Sequence, residues 1–157
     1  PLPRPLRPPL RPALRQPPER VAAAPENPSL QELKSRGERF IAQFLNDSGI
    51  KYHYEYPIII IDEDKKQRIW YPDFWIPELS IVIEYFGMVD DEQYLELVKK
   101  KEKVYHALNI NFIGVSNHMV QLEKNWEKFI IMRMIEIMDS KDPIYHKLLQ
   151  LKQKYTW

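Results

Sequence analysis

Two acidic residues interrupt segments that are otherwise apolar, which makes them the first candidates for a functional site. Asp73 lies in the sequence YPDF, and Glu84 ends the sequence IVIE. A carboxylate in an apolar strand is costly unless it is paired or binds a cation, so two on adjacent strands predict a site for a hard metal ion. Such an ion would polarise a phosphate and lower the pKa of an attacking water. The alternative is structural: Asp73 caps a turn, and Glu84 faces solvent at a strand end.

A lysine and a third acidic residue are candidates to complete this site. Helical spacing over residues 91–108 places Lys101 near the middle of the apolar face of a helix. Its ammonium either passes its neighbours to reach water or reaches the carboxylates, where it would orient the nucleophilic water or neutralise charge in the transition state. Glu38 lies at the border of the buried face of the first predicted helix and could assist the attacking water. A solvated side chain, or a pair with Lys34, is the alternative for Glu38.

Three further lysines lie on the same predicted helix as Lys101. Lys99 and Lys103 point away from its apolar face and Lys100 lies at the border, so the three predict a nucleic-acid-binding edge, with a solvated helix face as the equal alternative. The cluster of Trp70, Tyr71 and Trp75 could stack on bases, although tryptophan and tyrosine in a β-sheet are more often part of the core or of cross-strand pairs.

The elements that would position these residues follow from periodicity and turn signals. A capping-box spacing from Ser29 to Glu32 opens the first predicted helix, and Gly49 ends it. Strands are predicted over 52–61, 68–74 and 80–85, then a helix over 91–108, a strand over 111–115, and helices over 119–138 and 143–155. This order predicts an α/β (α+β) fold with a central mixed β-sheet flanked by helices.

Composition limits the classes of protein and site. The chain has no cysteine, which excludes disulfides, zinc–cysteine sites and thiol nucleophiles, so any metal must be held by oxygen or imidazole. No apolar run approaches the roughly 20 residues of a membrane span, so no membrane partner is expected. The lack of a clear export signal predicts a cytoplasmic location.

The chain divides into two predicted regions. Residues 1–28 hold ten of the 14 prolines and five arginines, which predicts a disordered or polyproline arm, while residues 29–157 form one domain. The arm is a linker, or a basic segment that contacts phosphates or a partner. Residues 1–26 carry a net charge of +3 and the whole chain +1, so the remaining residues carry −2. Nucleic-acid affinity of the domain must therefore come from a local patch.

These motifs resemble those of the PD-(D/E)XK superfamily of restriction-endonuclease-like nucleases. The likeness spans residues 35–117 and rests on Glu38 in a leading helix, YPDFWIP at 71–77, IEYFG at 83–87, a lysine-rich helix, and NINFI at 109–113. It implies a restriction-endonuclease-like core that hydrolyses DNA with Mg²⁺, or Mn²⁺ as a substitute. Asp73 and Glu84 would be the metal ligands, and the Tyr85 carbonyl a third.

The chain departs from the superfamily pattern at Phe86, where a lysine is expected two residues after the second acid. Some members with a similar arrangement look as if they supply this lysine from the next helix, and Lys101 is the matching position here. The leading hypothesis is therefore a metal-dependent DNA endonuclease with Glu38, Asp73, Glu84 and Lys101 as catalytic residues. The alternative is a catalytically degenerate module of the same fold that binds nucleic acid or protein.

The partners predicted for the active form are DNA, with RNA left open, and a second protein subunit. One active site cuts one strand, so cleavage of a duplex by so short a chain would require a homodimer, repeated nicking or a larger protein partner.

Overall fold

A computed structural model of the chain describes residues 26–87, 90–122 and 125–155, so most of the predicted arm lies outside the described residues. A 3-10 turn at Leu30–Glu32 comes before the first helix. The helices are α1 Arg36–Asp47, α2 Asp91–His106, α3 Asn117–Leu122, α4 Trp126–Ile137 and α5 Pro143–Lys154. The strands are β1 His53–Tyr54, β2 Ile58–Ile61, β3 Gln67–Trp70, β4 Phe74–Ile76, β5 Ile81–Phe86 and β6 Asn111–Ser116.

The central sheet is mixed, with the strand order β1, β4, β5, β6. The first two pairs are antiparallel, and β5 and β6 are parallel. Helix α2 connects these two parallel strands, which a tight turn cannot join. Strands β2 and β3 form a separate antiparallel hairpin. The predicted fold class, a mixed sheet with flanking helices, is confirmed.

The two faces of the sheet are covered by different elements, because side chains along a strand alternate between faces. Ile81 and Ile83 belong to one core, whereas Val82 between them belongs to another. The first core includes residues of α1, α4 and α5: Ile41, Leu45, Ile130, Ile131 and Leu148. The second includes residues of the hairpin and α2: Ile58, Ile60, Val104 and Tyr105. Glu84, two residues after Val82, therefore lies on the face that α2 covers.

Two of the predicted strands are each divided, and a proline lies near both breaks. The strand predicted over 52–61 is two strands, β1 and β2, because Glu55 has a positive φ of 52° and Pro57 cannot donate a ladder hydrogen bond. The strand predicted over 68–74 is divided into β3 and β4 around Pro72. Asp73 consequently lies in the connection that enters β4 rather than inside a strand.

The helix boundaries differ from the prediction in two places. The Ser29–Glu32 spacing closes only the 3-10 turn, where the Ser29 N–H donates to Glu32 Oε2 at 2.8 Å, and α1 begins at Arg36. The helix predicted over 119–138 is two helices, α3 and α4, with residues 123–124 outside the described part. No helix within that part is long and apolar enough to cross a membrane.

The start of α1 lies directly against Tyr85 because Gly37 has no side chain. A Cβ atom at position 37 would lie 2.1 Å from the Cζ atom of Tyr85, which is far inside van der Waals contact. The residue that follows is Glu38, and it is buried. This close approach brings Glu38 to the end of β5.

We expect Gly37→Ala to destabilise the protein by about 1–3 kcal/mol, because the added methyl must displace the Tyr85 ring or the helix. Alanine inside a helix normally stabilises by roughly 1 kcal/mol relative to glycine, so the sign itself is diagnostic. Urea unfolding measures the change. In a Tyr85→Leu background, which lacks the outer ring atoms, the same substitution should no longer destabilise. Equal destabilisation in both backgrounds would contradict the packing described.

Candidate active site

Asp73 and Glu84 lie beside each other at one end of the sheet. The antiparallel register of β4 and β5 pairs Phe74 with Ile83, which makes the residue before Phe74 and the residue after Ile83 neighbours. The Tyr85 N–H donates to Asp73 Oδ2 at 2.7 Å. The Asp73 carboxylate thus takes the position of a backbone acceptor where the ladder of β4 and β5 ends.

The surroundings of Asp73 disfavour its negative charge. Burial raises the pKa of this carboxyl to about 8, and the nearby carboxylates of Glu38 and Glu84 also raise it, while the Tyr85 N–H lowers it. A pKa shifted by burial and by neighbouring carboxylates makes Asp73 a candidate residue of a functional site.

The Tyr85 carbonyl faces a residue that cannot donate a backbone hydrogen bond. Continuing the register of β4 and β5 by two residues places Pro72 opposite Tyr85. The N–H and C=O of one strand residue point to the same side, and the Tyr85 N–H points toward Asp73. Proline has no N–H, so a pairing strand offers this carbonyl no donor at position 72. The oxygen is therefore suited to the ligand role that the resemblance implies.

Lys101 reaches Glu84 across the face of the sheet. Its Nζ atom lies 2.8 Å from Glu84 Oε2 and 3.0 Å from Oε1. Burial raises the pKa of Glu84, while the Lys101 charge lowers it. Helix α2 comes this close because Gly114, which pairs with Glu84 in the parallel register, has no side chain: a Cβ there would lie 2.7 Å from Val98 Cγ2. Val98 is one helical turn before Lys101.

Two aromatic residues surround this ion pair. The Lys101 Nζ atom lies 4.7 Å from the centre of the Trp70 ring, which comes from the end of the hairpin. The Tyr105 hydroxyl is buried and has no hydrogen bond of good geometry to any residue within the described ranges. Burial raises the pKa of Tyr105, and the Glu84 charge beside it raises it further. Sequence reasoning considered Trp70 only for base stacking or the core and did not assign Tyr105 to the site, although Tyr105 follows Lys101 by four residues, a spacing that shares one helix face.

Glu38 is held in place at the first turn of α1. Ser35, the N-cap residue, accepts the Glu38 N–H at 3.1 Å, and its hydroxyl donates to Glu38 Oε2 at 3.0 Å. The Tyr54 hydroxyl donates to Glu38 Oε1 at 3.2 Å. Lys34, considered as a partner of Glu38, instead forms an ion pair with Glu55. Glu38 is 6% exposed, so the solvated side chain that was the alternative is not what the structure has.

The oxygen atoms at this end of the sheet are of the type that Mg²⁺ prefers. The described residues contain no group of three or more His, Cys, Asp or Glu side chains arranged to hold a metal ion. Mg²⁺ does not require one, since it is usually bound through one or two carboxylates and keeps waters or substrate phosphates as its other ligands. Asp73, Glu84 and the Tyr85 carbonyl offer donors of this kind, and Mn²⁺ prefers the same oxygen ligands.

Comparison with known proteins shows no relative. No family model, curated protein or solved structure matches the chain. The resemblance to the PD-(D/E)XK superfamily and the roles of the site residues therefore stay predictions.

The three lysines predicted to bind nucleic acid lie apart from the carboxylates. Lys99 and Lys103 line a groove of about 420 Å³ between α2 and α4, together with His106 and Arg133. Lys100 is exposed beside them. Glu102 also lines the groove, so its charge is mixed, with a basic excess. Lys99 and Lys103 therefore lie in this groove, whereas Lys101 lies at Glu84.

The raised pKa of Asp73 predicts how stability depends on pH when no metal is present. A carboxyl whose pKa in the folded chain, about 8, exceeds its ordinary value of 3.8 stabilises the fold below pH 3.8, and this stabilisation is lost as the pH rises toward 8. In EDTA, the free energy of unfolding should therefore fall between about pH 5 and about pH 8.5 by roughly 1 kcal/mol or more through this group. Urea unfolding at several pH values measures it.

Asp73→Asn is the control for this pH dependence, because it keeps an oxygen that can accept the Tyr85 N–H and cannot ionise. The free energy of unfolding should fall less with rising pH in this variant than in the wild type. Added Mg²⁺ should reduce the difference in the free energy of unfolding between the two proteins at high pH. Identical pH profiles of the two proteins in EDTA would show that Asp73 does not titrate as described.

Proposed function

We propose that this protein is a Mg²⁺-dependent nuclease that hydrolyses DNA phosphodiester bonds. One observation carries the proposal: the Lys101 ammonium lies 2.8 Å from the Glu84 carboxylate, next to the half-buried Asp73. A positive group and two carboxylates thus share one end of the sheet. Metal-assisted hydrolysis of an anionic ester can use this combination, with carboxylates to bind a cation and a fixed positive charge to stabilise the transition state.

Each side chain has its own role in the proposed reaction. Asp73 and Glu84 hold Mg²⁺ with the Tyr85 carbonyl, and the ion supplies polarisation of the phosphate and activation of water. Lys101 stabilises the negative charge that builds up on the phosphate oxygens as water attacks phosphorus. The hydroxyls of Ser35 and Tyr54 hold the Glu38 carboxylate close to Asp73. In this position Glu38 accepts a hydrogen bond from the attacking water.

The substrate and partners belong to the same proposal. DNA is supported by the motif resemblance, and the basic excess of the groove between α2 and α4 suits a phosphate backbone of either DNA or RNA. One active site cuts one strand, so we propose that duplex cleavage occurs through a homodimer or with a larger protein partner. A cytoplasmic location is part of this proposal.

The second candidate function is a binding module that has lost activity, and Phe86 favours it. In the position where the superfamily pattern has lysine, the Phe86 ring packs edge-on against Tyr94 and Phe112, at centroid distances of 5.7 and 6.3 Å. Position 86 is therefore part of the packing under α2 rather than of a site. This alternative predicts nucleic-acid or protein binding that is independent of divalent metal.

We expect Asp73→Asn and Lys101→Met each to lower kcat for DNA cleavage by about 10²- to 10³-fold, because each removes a charge that acts on the transition state. Cleavage of labelled single-stranded, duplex and branched DNA, and of RNA, with Mg²⁺, Mn²⁺ or EDTA measures this. Lys51→Met is the matched control. Lys51 is exposed and precedes β1, which is an edge strand of the central sheet.

The outcome separates the two candidate functions. Metal-dependent cleavage that survives in Asp73→Asn would contradict the proposed ligand set. An absence of cleavage on every substrate, with unchanged binding in both variants, would favour the binding module.

The groove lysines should affect binding rather than chemistry. The double variant Lys99→Ala, Lys103→Ala should weaken DNA binding to a similar degree across sequences and reduce the slope of log Kd against log salt by about two, one for each phosphate that a lysine no longer neutralises. Fluorescence anisotropy over about 50–200 mM salt measures the slope. Lys141→Ala, an exposed lysine between α4 and α5, is the control and should leave the slope unchanged. A slope that stays unchanged in the double variant would show that this groove does not bind phosphates.

A further inference from the structure

Trp70 provides the second contact of the Lys101 ammonium. The Nζ atom of Lys101 lies 4.7 Å from the centre of the indole ring, inside the range of a cation–π interaction, while Glu84 binds it from another direction. Trp70 is half-buried, and its ring packs edge-on against Tyr105 at a centroid distance of 5.5 Å and an interplanar angle of 72°. The indole is therefore fixed by its own neighbours and not free to follow the lysine.

We propose that Trp70 is a positioning residue that holds the Lys101 ammonium at the carboxylates, an inference that rests on the proposed nuclease function. A lysine side chain has four carbon atoms between its backbone and its charge and loses much freedom when its ammonium is fixed at one point. Glu84 alone ties the ammonium to a group that is itself a candidate metal ligand. The Trp70 face attracts the ammonium regardless of what else Glu84 binds, because the attraction comes from the ring and not from a charge.

The β2–β3 hairpin explains how Trp70 reaches this point. Trp70 pairs with Ile58 across the hairpin, and the inward residues Ile58 and Ile60 are buried on the same core as Tyr105 of α2. The hairpin is thereby anchored to the helix that carries Lys101. The lysine and its aromatic support come from two elements that pack on each other, so their spacing is set by that core.

The kinetic test is a series of substitutions at position 70. Trp70→Leu should lower kcat by about 2- to 30-fold with KM unchanged, because Trp70 acts through Lys101 in the transition state and does not bind the substrate. Trp70→Tyr and Trp70→Phe should recover part of the loss, since both keep a ring face. Trp75→Leu is the matched control. It removes a tryptophan that packs against the same core, but it leaves the cation–π contact between Lys101 and Trp70 in place.

A double-mutant cycle decides whether the effect passes through the lysine. On a Lys101→Met background, Trp70→Leu should cause no further loss of kcat. A loss of the same factor on both backgrounds, or no recovery by either aromatic substitution, would overturn the proposal.

A readout without activity separates this proposal from the proposed function. Lysine side-chain protons that lie over an indole ring resonate upfield of those of exposed lysines, so selectively ¹³C-labelled lysine should give an upfield-shifted signal for Lys101, assigned by its absence in Lys101→Met. That shift should persist in Trp70→Tyr and Trp70→Phe and disappear in Trp70→Leu. If the wild-type protein cleaves no nucleic acid, the proposed function fails and the shift alone decides the contact. A wild-type protein without a shifted lysine signal would overturn the placement of Lys101 on Trp70.

Discussion

The ion pair between Lys101 and Glu84 is the contact on which the arrangement of the site depends. Glu84 is only 7% exposed, and a buried carboxylate without a partner would be strongly destabilising. Its partner Lys101 comes from α2, the helix that packs on this face of the sheet. Gly114 allows that close packing, and the parallel pairing of β5 and β6 requires the crossover helix in any case. Sheet topology and site geometry thus depend on the same helix.

The sequence predicted those features that follow from periodicity within one segment. The helical spacing of residues 91–108 indicates which side of α2 faces the sheet and therefore that Lys101 lies on that side. Order and type of most elements follow from the same reasoning, and the confirmed fold class rests on it. Ser35 and Glu38 also repeat the spacing of Ser29 and Glu32, so the correct start of α1 was present as a second capping signal.

The features that sequence reasoning missed depend on contacts between segments far apart in the chain. Tyr54 contacts Glu38 across 16 residues of sequence, and Trp70 contacts Lys101 across 31 residues. The hydrophobic periodicity of a single segment gives no information about either contact. The breaks at Pro57 and Pro72 were readable in principle, because proline cannot continue an inner strand. The apolar residues on both sides of each proline outweighed that signal. The division at Pro72 matters most, since it leaves Asp73 in a connection where its carboxylate can accept the Tyr85 N–H.

The outer face of the β2–β3 hairpin has a consequence for the behaviour of the protein in concentrated solution. Ile59, Ile61, Ile69 and Tyr71 are each more than half exposed, at 63%, 53%, 55% and 61%, while the inner face of the same hairpin is anchored to α2. Within the described part of the chain, β2 and β3 pair only with each other, so each has an outer edge open to another strand. An apolar strand face with open edges favours self-association and aggregation. The segment that supports Lys101 from inside is therefore also an apolar surface through which copies of the protein can associate.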